Sequence, residues 1–147
     1  MAVKKGSIYF HYPEKGFQLT NRNQLKDFLL SMAKKGGRPV ETINYVFCND
    51  EYLLNVNREY LDHDYYTDII TFELSEKGEP ILADIFISID RIRDNSVAFN
   101  TSFKKEILRV IIHGMLHLLG FNDKSEAQQK KMRKMEDYYL NQYIRST

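Results

Sequence analysis

The segment SFKKEILRVIIHGMLHLLG, residues 102–120, constrains the fold more than any other part of the chain. At helical spacing, Phe103, Ile107, Val110, Ile111 and Leu118 share one side. Leu108, Ile112, Met115, Leu116 and Leu119 cover much of the rest. A helix that is apolar nearly all round has to be buried on nearly all sides. The remaining sequence must therefore supply layers around it, and 147 residues are enough for one domain spanning 1–147.

Those layers can be read along the chain. SIYFHY (7–12) and TINYVF (42–47) are rich in β-branched and aromatic residues and predict strands. Between them, NRNQLKDFLLSMAKK predicts a helix, with Asn21 and Gln24 at capping-box spacing and GGRP (36–39) as its stop. Asn49 or Asp50 can cap a helix running to about Leu61. After the turn-rich DHDYYTD (62–68), TDIITFEL and ILADIFIS (81–88) flank the polar turn SEKGEP (75–80), the pattern of an antiparallel hairpin. Residues 89–100 predict a helix, followed by the long one from about Ser102 to Leu119, stopped by Gly120. Ser125 and Gln128 open a last amphipathic helix to about Ile144. The order β-α-β-α-β-β-α-α-α predicts an α/β (α+β-like) domain, a mixed sheet of about four strands with about five helices packed on it.

His113 and His117 interrupt the apolar run one turn apart, so their rings can converge on one point. A buried histidine often does no more than bond a carbonyl or carboxylate. Here Gly120 can turn the chain back over the rings and bring Asp123 to them. H-x-x-x-H-x-x-G-x-x-D has the spacing of the metzincin zinc motif, in which three residues hold the metal and leave one position open. The metal ligands expected are His113, His117 and Asp123 at the end of the central helix. The position of the peptidase's general base is Gly114, which transfers no proton, so proteolysis is not expected.

These residues resemble a known family. HGMLHLLGFND (113–123) is similar to the H-G-x-L-H-L-x-G-[YF]-D-H signature of the YbeY family of metal-dependent endoribonucleases. LNVNREYL (54–61), TDIITF (67–72), ADIFIS (83–88), and Met132 with Glu136 resemble further family segments in order. The likeness covers the chain from about residue 40 onward. It implies zinc on His113 and His117, with Asp123 standing where most members have their third histidine and Asn122 where they have aspartate. It also implies a catalytic role for Arg58, whose guanidinium can grip two phosphate oxygens at once. Without the resemblance, Arg58 reads as a solvated residue paired with Asp50 or Glu59.

The implied function is a single-strand-specific, zinc-dependent endoribonuclease in ribosomal RNA maturation. One ion is expected, and two histidines with a carboxylate also suit ferrous iron. The alternatives are a ribosome-assembly factor with a structural metal, and a hydrolase of another substrate. The implied partners are ribosomal RNA and the ribosomal subunit or its proteins. A net charge of +1 makes any phosphate-binding surface local, built from clusters such as KKGGR (34–38), Arg91 with Arg93, Lys104 with Lys105 and Arg109, or KKMRK (130–134). Asp62, His63, Asp64 and Asp68 read as an exposed turn, and His11 as a strand residue without a role. MAVKKGSIYFHY lacks an apolar leader, and no apolar run is long enough to span a bilayer. The single Cys48 reads as a buried strand-end residue in a reducing compartment, so a cytoplasmic protein with no membrane partner is expected.

Overall fold

The β-branched and aromatic runs form strands β1 (Ser7–His11), β2 (Val40–Cys48), β3 (Ile69–Glu73) and β4 (Ile81–Ser88). The helices are α1 (Arg22–Lys35), α2 (Asp50–Leu61), α3 (Ile89–Ala98), α4 (Phe103–Leu118) and α5 (Glu126–Ser146). This computed structural model describes residues 6–147. Residues 1–5, with part of the segment read for a leader and the start of the 1–147 domain, lie outside the described residues.

The strands make one mixed sheet in the order β1-β2-β4-β3. β1 and β4 both run parallel to β2, and β3 is antiparallel to β4, so the expected hairpin forms. Successive side chains of a strand point to opposite faces. One face of the sheet, with Ile43, Tyr45, Phe47, Ile85 and Ile87, joins α1, α4 and α5 in the main core. Ile70, Phe72 and Phe86 point the other way, against Leu53 and Val56 of α2. The α+β architecture is thus one sheet between α2 and a helical layer centred on α4.

α4 is buried as its composition demands. Ile111, Ile112, Met115 and Leu116 are completely covered, each stabilising the fold by about 1.5–3 kcal/mol. Its approach to the sheet is close because Gly114 faces it. A Cβ at that position would lie 3.1 Å from Cδ1 of Ile69 and 3.2 Å from Cδ1 of Ile85. The buried Tyr45 hydroxyl donates to the Ile111 carbonyl at 3.1 Å, so the polar end of this large ring is satisfied.

Most helix ends follow the expected chemistry. Asn49 accepts from the Tyr52 amide, and Ser125 with Gln128 forms a complete capping box. The box expected at Asn21 and Gln24 is absent. Asn21 adopts a left-handed conformation (φ 53°) and makes no side-chain cap bond, since capping requires an extended residue to aim its oxygen at the helix. Gln24 instead donates to the Ser146 carbonyl, joining the start of α1 to the end of α5.

One arginine clamps the end of α4. Arg38 grips both carboxylate oxygens of Glu73 at 2.8 and 3.1 Å and donates to the Leu118 carbonyl at 3.1 Å. It also reaches Ser75 Oγ and the Glu79 carbonyl, both at 3.0 Å. The hairpin and the last turn of α4 are therefore held through a single planar group. Arg38→Ala is expected to lower stability by about 2 kcal/mol in urea titrations. Arg38→Lys should restore little, because an ammonium cannot make the forked contact.

Candidate metal centre

The last turn of α4 shapes the site. Gly120 has φ 100°, and two backbone bonds close the helix: Phe121 N–H to the Leu116 carbonyl and Gly120 N–H to the His117 carbonyl, both at 3.0 Å. This is the Schellman arrangement, which reverses the chain immediately after the helix. The capping box at Ser125 then starts α5. Between these two fixed points, the short segment 121–124 brings Asp123 back to the histidines.

The three expected ligands meet. Nε2 of His113 and Nε2 of His117 are 2.9 Å apart, and Asp123 Oδ2 lies 3.4 Å from the first and 3.5 Å from the second. Together they form a group able to hold a metal ion. Ligands about 2.0–2.1 Å from a tetrahedral zinc sit roughly 3.3 Å from one another. The two edges to Asp123 match that separation, and the histidine edge must open by about 0.4 Å to reach it. Two imidazoles and a carboxylate are also a chemically competent donor set, so these residues fit a divalent ion.

Behind His113 stands Glu136 of α5, a residue singled out in the sequence only through family likeness. Its Oε2 accepts from His113 Nδ1 at 2.7 Å, and the carboxylate is 6% exposed. The bond places the proton on Nδ1 and leaves the Nε2 lone pair directed at the other ligands. Arg109 holds the second Glu136 oxygen at 3.3 Å and Asp137 at 2.8 Å. Burial pulls the His113 pKa down, but Glu136, Asp123 and Asp68 together outweigh it and leave it raised. Burial and the neighbouring His113 lower that of His117.

A cavity of about 410 Å³ opens beside the ligands. Asp68 and Glu106 line it, and burial raises the pKa of each carboxyl. Asp68 was grouped with an exposed turn in the sequence, yet it leaves that turn and enters the site. The other members of the turn behave as read. Asp62 closes α2 in a left-handed conformation, His63 stacks on Tyr65, and Asp64 binds Arg58.

Arg58 is not brought to the histidines. It sits in the last turn of α2, on the opposite face of the sheet from α4, and lines none of the cavities that open on His113. Its partner is Asp64 rather than Asp50 or Glu59; Asp50 is held by Arg91. Cys48 is fully buried at the end of β2, its thiol pushed up to about 12 chiefly by burial, and is inert as expected. His11 bonds Asn44 on the sheet, away from the site.

The chain is similar in sequence and in fold to known proteins. Residues 12–144 match the family described as Endoribonuclease YbeY. The chain belongs to the YbeY family. The match begins well before residue 40, where the likeness in sequence segments started. It is similar to the Endoribonuclease YbeY of Cytophaga hutchinsonii, 45% identical over 95% of this chain and 97% of that one. The protein of the same description from Karelsulcia muelleri is 43% identical over 88% of this chain and 92% of its own. Among solved structures, the solution structure of TM1509 from Thermotoga maritima matches with a TM-score of 0.64 and 25% identity, covering 95% of this chain and 93% of that one. Within the YbeY family this chain presents Asp123 as the third donor of its candidate centre.

Two outcomes follow from the geometry. Glu136→Ala should weaken metal affinity about 10–100-fold in competition titrations with a chelating dye, because His113 loses the group that orients it. Asp123→Asn should lower the metal content of protein purified without added metal. Unchanged content would mean that Asp123 is not a ligand.

Proposed function

We propose that this YbeY-family chain is an endoribonuclease that cleaves single-stranded RNA with one divalent ion, zinc, held by His113, His117 and Asp123. The observation that carries the proposal is the converging triad backed by the buried Glu136 at the mouth of an open cavity. When bound, the ion supplies Lewis-acid polarisation of a phosphate oxygen.

The chain's own residues have distinct tasks. Glu136 fixes the His113 tautomer, and Arg109 holds Glu136 in place. Asp68, whose pKa burial raises, is the carboxylate on the cavity wall suited to hold or give up a proton during cleavage. Arg58 is proposed to bind a substrate phosphate, supported by its match to the family's arginine. Its exposed guanidinium can exchange Asp64 for that phosphate. Among the described residues, no helix is long and apolar enough to cross a membrane. We place the activity in ribosomal RNA maturation in the cytoplasm, with the ribosomal subunit as partner.

Purified protein should cleave single-stranded RNA, and His117→Ala should abolish cleavage while the circular-dichroism melt is retained. Arg58→Ala should reduce turnover by about 10²-fold or more at equal folding. Chelation should likewise remove turnover without unfolding the chain. If chelation lowers the melting temperature and RNA binding persists without any cleavage, the metal is structural and the assembly-factor reading takes over.

A further inference from the structure

The cavity beside the ligands has an acidic wall. Asp68, Glu106, Asp123 and Glu136 all line it, and an RNA phosphate approaching them is repelled unless a cation intervenes. Two arginines share the lining. Arg109 is committed to Glu136 and Asp137. Arg133 of α5 differs: among the described residues its side chain has no hydrogen bond and no carboxylate within 4.0 Å. Its field favours the charged form of Glu106. It also lines the adjoining cavity with Asp123 and Lys130, so it stands at the junction of the two openings.

Across the same cavity stands Phe99, 63% exposed and belonging to neither core cluster. Its backbone is fixed. Asn100 turns left-handed at φ 52°, Asn100 N–H reaches the Val97 carbonyl at 3.2 Å, and Thr101 N–H reaches the Ser96 carbonyl at 3.0 Å. α3 therefore ends in a closed cap that carries the ring on a rigid base. An exposed aromatic face on a rigid backbone at a polar cavity is a platform on which an unpaired base stacks.

We propose that this cavity seats one nucleotide of single-stranded RNA next to the cleaved bond, Arg133 binding its phosphate and Phe99 its base. The proposal rests on the RNA-cleaving function above. Arg133 and Phe99 are substrate-positioning groups that act through affinity and alignment.

The test measures binding of a short fluorescein-labelled single-stranded oligoribonucleotide of mixed sequence by anisotropy, with chelator present so that nothing is cut. Arg133→Ala should weaken binding about ten-fold and reduce the slope of log K against log salt by about 0.7, the value for one lost phosphate contact. Arg133→Lys should keep the slope. Phe99→Ala should weaken binding roughly ten-fold with the slope unchanged, and Phe99→Trp should restore it. In metal-loaded protein, both alanine variants should raise KM more than they lower kcat. An unchanged slope and affinity in Arg133→Ala, or unchanged affinity in Phe99→Ala, overturns the subsite. Cleavage that survives His117→Ala overturns the metal-centre reading instead, and the binding series still decides the subsite.

Discussion

Everything in this fold is arranged around the burial of α4. A helix that is apolar on nearly every side leaves no stable arrangement other than a central one. The sheet covers one side of it, and α1, α3 and α5 close much of the remainder. Polar groups interrupt this surface where the helix approaches the cavity and its C-terminal end, at Glu106, Arg109, His113 and His117. The site therefore occupies the seam where the core stops, half in water and half in low dielectric. Ligand positions set by a helix packed this tightly need little reorganisation to bind an ion.

The electrostatics of the seam are strongly biased toward negative charge. Glu136 accepts from His113 and is held by Arg109, which it shares with Asp137. Asp68 and Glu106 are less well compensated, and burial disfavours their ionised forms. A site of this kind favours a cation strongly and admits an anion only where an arginine prepares the way. Helices α4 and α5 with the 121–124 segment carry the group able to hold an ion, and Phe99 at the end of α3 and Arg133 of α5 line the cavity beside it.

Much of this was legible in the sequence. The element order is as read because each segment combines periodicity with a stop signal, and His113, His117 and Asp123 converge because Gly120 and Ser125 leave only one short path for Asp123. What was not legible depends on contacts between distant segments. Glu136 looks like any polar residue of an amphipathic helix until α5 is packed against α4, 23 residues away from His113 in sequence. Asp68 sat in a run of turn-forming residues, and only the bond of its carbonyl to the Ser88 N–H at the end of β4 separates it from them. Asn21 had the right residue type and spacing for a cap but the wrong backbone, which spacing cannot show. Arg58 lies on a helix whose choice of sheet face is a matter of topology.

Gly114 carries a last consequence. In sequence it stood for a missing proton-transfer group. In three dimensions it lies at a close approach between α4 and the sheet, facing Ile69 and Ile85 rather than the histidines. A glutamate introduced there would project into hydrocarbon, where an unpaired carboxylate is strongly disfavoured, and would push the helix off its strand neighbours. The barrier between this centre and a peptidase with the same ligand spacing is therefore architectural. A lineage carrying this helix could cross it only by repacking the sheet as well as changing one codon.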